Sequence, residues 1–247
     1  MAGHSKWANI RHRKGAQDAK RGKIFTKIIK EITVSARIGG GEVESNPRLR
    51  KAVANAKSNN MPADKITRAI KKGTGELEGA NYEEVSYEGY GPGGGAIMME
   101  IITDNRNRTV ADIRHLLTKH GGNLGENGSV SWMFDKKGQI IIEKKPDNDD
   151  IIFEAAIQHG ADDFSVDENF YAVTTDQTII MEVRDGLEDE GFTIRSSEIE
   201  MIPKTLQKVN DQDAQNALKL LEALDDHDDI NHVYSNFDFD ENIINQE

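Results

Sequence analysis

Between about residues 17 and 37, large apolar side chains recur at helical spacing. Ile24, Ile28 and Ile32 stand on one row, with Phe25 and Ile29 beside it. Apolar positions three and four apart make one buried face of an amphipathic helix. Gly39-Gly40-Gly41 ends it, because glycine lets the backbone leave helical geometry. A second helix opens at Asn46-Pro47. An Asn side chain accepts a bond from a first-turn amide, and proline suits the first helical position. Leu49, Ala52, Val53 and Ala56 form its inward face. Pro62 opens a third helix, with Ile66, Ala69 and Ile70 inward and Gly73 at its end. Three such helices make a small helical domain.

After a glycine-bearing connection at 73–79 the period drops to two. Segments 84–90 and 96–103 read as strands around the turn Gly91-Pro92-Gly93-Gly94-Gly95. A helix is expected over about 109–120 and another strand over 129–134. Residues 137–202 then read as strand, helix, strand, strand, helix, strand: 139–143, 149–159, 163–166, 171–174, 177–190 and 193–201. That is the ferredoxin-like order. A helix at 211–225 and a strand at 231–237 have no partner of their own, while segment 84–134 lacks a final helix and strand. The expected fold is therefore α+β: an N-terminal three-helix domain followed by two ferredoxin-like α/β units, the second inserted into the first. The boundaries are 1–78 for a basic helical domain with an N-terminal arm, 79–135 plus 205–238 for a discontinuous domain, 136–204 for the insert, and 239–247 for an acidic tail.

Charge changes this picture more than composition does. The chain of 247 residues has a formal net charge of −12, yet residues 1–75 hold 18 Lys+Arg against 5 Asp+Glu. The other 172 residues hold 13 basic and 38 acidic residues. Such asymmetry points to a polyanionic partner for the basic part. The chain has no cysteine, which excludes disulfides, thiolate metal sites and cysteine nucleophiles. Residues 1–14 are basic and lack an apolar core, so they do not read as a secretory signal. No apolar run approaches the ~20 residues of a membrane helix. The expected location is cytoplasmic, without a membrane partner.

Several stretches, taken in order, resemble one family. They are Met1-Ala2-Gly3-His4-Ser5-Lys6-Trp7-Ala8-Asn9-Ile10, then Asp18-Ala19-Lys20-Arg21-Gly22-Lys23-Ile24-Phe25, Asn46-Pro47-Arg48-Leu49-Arg50, Asn60-Met61-Pro62, Tyr87-Glu88-Gly89-Tyr90-Gly91-Pro92 and Thr103-Asp104-Asn105-Arg106-Asn107-Arg108-Thr109. The set is similar to the YebC/PmpR family, over about residues 1–238. The resemblance implies a three-domain cytoplasmic protein that regulates gene expression. Family members are described as regulators binding promoter DNA, and others as ribosome-associated factors that ease synthesis of proline-rich stretches.

The candidate chemistry is phosphate binding. Lys6, Arg11, Arg13, Lys14, Lys20, Arg21, Lys23 and Lys27 crowd the arm and first helix, and Arg48 and Arg50 follow. Cations paired with phosphates release counterions and supply most non-specific affinity. Trp7 either stacks on an exposed base or packs against the helical domain. Lys65, Arg68 and Lys72 share one face of the third helix, as a second phosphate-contacting stripe or as a solvated face. The loop Asp104, Asn105, Arg106, Arg108 either receives an anion at a helix start or forms an internal ion-pair and capping cluster. The run Asp225-Asp226-His227-Asp228-Asp229 either holds a cation, though without the spaced ligands of a calcium loop, or is a solvated helix end, which is the favoured reading. No nucleophile or metal-ligand spacing stands out among the seven histidines and the carboxylates. The expectation is a non-enzyme without cofactor, metal or small-molecule substrate. Its partner is nucleic acid, either promoter DNA or ribosomal or transfer RNA, with the ribosome as the alternative seat.

Overall fold

The computed structural model describes residues 21–145, 149–167 and 170–239. In chain order the helices and strands are α1 (Arg21–Gly39), α2 (Pro47–Ser58), α3 (Ala63–Gly73), β1 (Glu83–Tyr90), β2 (Ala96–Thr103), α4 (Arg106–Lys119) and β3 (Asn123–Leu124). There follow β4 (Phe134–Glu143), α5 (Asp149–Gln158), β5 (Asp163–Val166), β6 (Phe170–Asp176), α6 (Ile180–Asp189) and β7 (Ile194–Pro203). Last come β8 (Gln207–Lys208), α7 (Asp211–Asp225), β9 (Ile230–Ser235) and β10 (Phe237–Asp238). The fold is α+β.

The first three helices form around the apolar rows. Ile28, Ile32, Leu49, Val53, Ile66 and Ala69 meet in one buried cluster. Asn46 fixes the start of α2. Its Oδ1 accepts from the Leu49 amide at 3.1 Å, while its Nδ2 donates to the carbonyls of Ser35 and Gly40, both at 2.8 Å. One buried side chain thus caps one helix and closes the end of another. The end of α3 lies against α1 so closely that a Cβ at Gly73 would sit 2.4 Å from the Thr33 carbonyl oxygen.

These helices belong to one compact unit with residues up to 129 and with 210–233. Its sheet has the order β3-β1-β2-β9. The β1–β2 hairpin pairs Glu83 with Thr103 and Tyr90 with Ala96, so it joins the two central strands. Its tight end, Pro92–Gly94, needs Gly93 and Gly94 at φ 66° and 79°, where a Cβ is disfavoured. Two sequence expectations need correction here. Segment 129–134 is not a strand: Ser131–Met133 is a 3₁₀ turn, the pairing strand is β3, and Phe134 opens the ten-residue β4. Helix α4 begins at Arg106, three residues earlier than expected, because Asn105 caps it by accepting from the Arg108 amide at 3.1 Å.

The second unit comprises 130–209 with 234–239 among the described residues. Its sheet runs β5-β6-β4-β7, antiparallel throughout, with α5 and α6 as crossovers. This is the ferredoxin-like arrangement. Ile140, Ile142, Ile152, Tyr171, Val173 and Val183 fill its core. A short parallel pair, β8 with β10, completes it. No helix among the described residues is long and apolar enough to cross a membrane.

Candidate nucleic-acid interface

The stripe on α3 survives folding as a cationic face. Asp64 in the first turn and Lys71 and Lys72 in the last complement the helix dipole. Ile66 and Ala69 turn inward, which leaves Lys65, Arg68 and Lys72 exposed on the other side. The three side chains rim a groove of about 410 Å³ whose floor is Ile29, Ala69 and Leu77, with Glu78 at one edge. The Lys65 ammonium stands 5.5 Å from the Phe25 ring centroid, a cation–π distance. Among the described residues, Lys57, Lys65, Arg68, Lys71 and Lys72 form no salt bridge with a carboxylate.

The other expected cations are disposed differently. Arg48 bridges two carboxylates, holding Glu31 at 2.7 Å and Glu84 at 2.6 Å. Its guanidinium is thereby pushed further into the charged form, chiefly by the Glu31 hydrogen bond. Burial alone would raise the Glu31 carboxyl, but Arg48 outweighs it and the group is held below the usual carboxylate range. Arg50 donates to the Glu44 carbonyl at 2.9 Å. Lys27 reaches the Asp225 carbonyl, and Lys23 lies 3.9 Å from Asp226. Lys6, Trp7, Arg11, Arg13, Lys14 and Lys20 lie outside the described residues, as does the side chain of Arg21.

The loop from Thr103 to Thr109 is an internal cluster. Arg108 donates to Asp104 at 2.8 Å and to Asp229 at 2.9 Å. Arg106 stands 4.0 Å from Glu83, and the Asn105 side chain occupies the helix start that an anion would need. The centre of the cluster is Asp229, which the sequence placed on a solvated helix end. It is 4% exposed. It accepts from Thr109 at 2.6 Å, from Arg108, and from the buried ammonium of Lys30. Burial pushes its carboxyl up, and the bonds from Lys30, Thr109 and Arg108 overcome this and hold it far below the carboxylate range. Lys30, Glu31 and Glu84 were not singled out by sequence. Lys30 carried no signal, since two residues from Ile28 and Ile32 is the opposite side of the helix from that apolar row. The same cluster walls a polar cleft of about 470 Å³ with Tyr82, Asp112 and His227. Among the described residues no group of His, Cys, Asp or Glu is arranged to hold a metal ion.

A small helical domain with a cationic face, leading into two four-stranded α+β layers of which the second interrupts the first, defines a class already seen in a crystal. A conserved hypothetical protein from Aquifex aeolicus superposes with a TM-score of 0.86 at 46% identity, over 96% of this chain and 98% of that one. Residues 5–76 match the TACO1/YebC protein N-terminal domain, and residues 82–237 match the TACO1/YebC second and third domain. The chain belongs to the TACO1/YebC family. Relatives from Geotalea uraniireducens (58% identical, 98% of this chain and 97% of the relative) and Geobacter sulfurreducens (58% identical, 96% of each) both carry the name "probable transcriptional regulatory protein".

Proposed function

We propose that this protein is a nucleic-acid-binding regulator of gene expression that contacts duplex DNA through its N-terminal domain, and that it acts by binding without catalysing a reaction. The observation that carries this reading is the α3 face. Lys65, Arg68 and Lys72 are exposed and directed outward, while Arg48, Lys30 and Arg108 are held by carboxylates of the same chain. The arm residues Lys6, Arg11, Arg13, Lys14 and Lys20, and Arg21, Lys23 and Lys27 at the start of the first helix, add positive charge, although Lys23 and Lys27 also meet Asp226 and the Asp225 carbonyl. No pair of side chains suited to reading base edges stands on α3, so recognition rests on backbone phosphates and DNA shape. The names of the relatives support the regulatory reading.

The test is fluorescence anisotropy of the full chain with a labelled duplex, titrated at several salt concentrations. Replacing Lys65 and Arg68 by Glu together is expected to weaken binding at least tenfold and to flatten the log K against log salt slope by about 1.8, at ~0.9 per lost phosphate contact. An unchanged slope overturns the assignment of α3. A second reading, seating the same face on ribosomal or transfer RNA, is favoured by the acidity of residues 76–247, which carry 38 acidic and 13 basic residues. Like charge there confines contact to a small patch. Cosedimentation with ribosomes, abolished by charge reversal at Arg11, Arg13 and Lys14, selects that reading over a preference for promoter over random duplex.

A further inference from the structure

The helix layer of the second unit has an unusual outer surface. The inward rows of α5 and α6 are Ile152, Ala155, Ala156 and Ile180, Val183, Leu187. Four large apolar residues lie off those rows. Ile151 is 56% exposed, Phe153 48%, Ile157 49% and Met181 52%. Single exposed apolar side chains are ordinary, but a pair of large ones on one helix face is a candidate interaction site. Phe153 and Ile157 are one helical turn apart on α5, the spacing at which a docked helix meets its anchors. Phe153 is also held in place, because its ring lies edge-on to Phe164 at 5.7 Å between centroids.

The surrounding charge says what fits there. Residues 149–190 contain thirteen acidic side chains and one basic one, Arg184. Asp150 and Glu154 share the outer face of α5; Glu182 and Glu188 are exposed on α6, as is Asp185, which pairs with the neighbouring Arg184. Such a field repels nucleic acid and anionic lipid. It also opposes a second copy, since a two-fold contact would set this acidic face against itself. We propose that the outer face of α5 and α6 docks a cationic amphipathic helix of a partner protein, one that presents two or more large apolar residues among lysines and arginines. The apolar anchors supply desolvated contact area, and the carboxylates orient the helix and speed its encounter. This surface is separate from the α3 face, and its failure would leave the nucleic-acid reading standing.

The experiment uses the full chain and three labelled synthetic peptides of eighteen residues. The first places Leu at helical spacing on a Lys background. The second replaces every Leu by Ser, and the third replaces every Lys by Glu. At physiological salt the Leu/Lys peptide is expected to bind at least tenfold more tightly than either control. Phe153→Ser with Ile157→Ser, and separately Glu154→Lys with Asp185→Lys, are each expected to weaken it at least tenfold. Amide chemical-shift changes on the unsubstituted protein should cluster on α5 and α6, which keeps the test valid if a variant folds poorly. Equal binding of the Leu-free peptide reduces the effect to unspecific charge and overturns the proposal. Full affinity in both variants, or shift changes centred elsewhere, also overturns it.

Discussion

Removal of the Asp229 carboxylate tests whether a buried ion pair holds the first unit together. Asp229 is 4% exposed and Lys30 7%, so neither charge has solvent to fall back on. Asp229→Ala deletes the Lys30 pair and the hydrogen bonds from Arg108 and Thr109 in one step. Breaking a buried pair from one side costs about 3–5 kcal/mol, because the remaining charge stays desolvated and uncompensated. For a chain of this size that corresponds to a fall in Tm of roughly 6–20 °C. Lys30→Met is expected to cost less, because Arg108 and Thr109 still bond Asp229. The double variant is expected to cost clearly less than the sum, with a coupling above ~1.5 kcal/mol, because the buried Lys30 charge that Asp229→Ala strands is no longer there. Urea unfolding followed by far-UV circular dichroism measures all three. The pH dependence has a fixed sign. The Asp229 carboxyl titrates lower in the folded chain than in the unfolded one, so its contribution is present above about pH 4 and is lost as pH falls below that. The gap between the natural chain and Asp229→Asn should therefore be flat from neutral pH to about pH 5 and narrow in acid. A cost below ~1 kcal/mol for Asp229→Ala, or additivity within ~0.5 kcal/mol, would refute the account.

Two other predictions concern different parts of the chain. Arg48→Ala is expected to cost only about 1 kcal/mol, since Arg48 and Glu84 are both 40% exposed and such pairs are screened. It should lower nucleic-acid affinity less than threefold, and a loss as large as that of the α3 variants would return Arg48 to the interface. Tyr171 is fully buried and donates to Asp149 at 2.5 Å. Burial first and that bond second push its phenol up to about 12, so ultraviolet titration should show a late step that Tyr171→Phe removes. Any stability gained from that raised value is present below pH 10 and disappears as pH rises through 12. Ionisation of every tyrosine by pH 11 in the folded protein would contradict it.

The fold was legible wherever a local rule applied. Helical rows, the Asn46-Pro47 start and the alternation of strands each specify structure over a few residues, and α1 to α3, β1 and β2 follow them. The misread segment 129–134 shows the limit. Its apolar residues suit a strand, but strand identity depends on pairing, and β1 pairs with Asn123–Leu124 instead. The site was legible in composition and not in partnership. Spacing placed Lys65, Arg68 and Lys72 on one face because i, i+3 and i+7 are set by the helix alone. It did not reveal that Arg48 meets Glu84 thirty-six residues away, or that Asp229 meets Lys30 and Arg108 across far longer separations. The Asp229 contacts arise only when 210–233 returns to the first unit.

Charge segregation in this chain is therefore finer than the contrast between a basic beginning and an acidic remainder. Within the first unit, acidic residues have been placed so that selected cations become structural. Glu31 and Glu84 hold Arg48, and Asp229 holds Lys30 and Arg108. Each such pair removes one positive charge from any external contact. The exposed cations that form no salt bridge among the described residues of the first three helices include Lys57 on α2 and Lys65, Arg68, Lys71 and Lys72 on α3. The acidic helices of the second unit cannot extend that set, because the same field that disfavours phosphate there favours a cationic partner. On the two proposals made above, a chain that is acidic overall would bind a polyanion at one face and a basic protein at another. In this scheme the sign of each surface, more than its area, decides which partner reaches it.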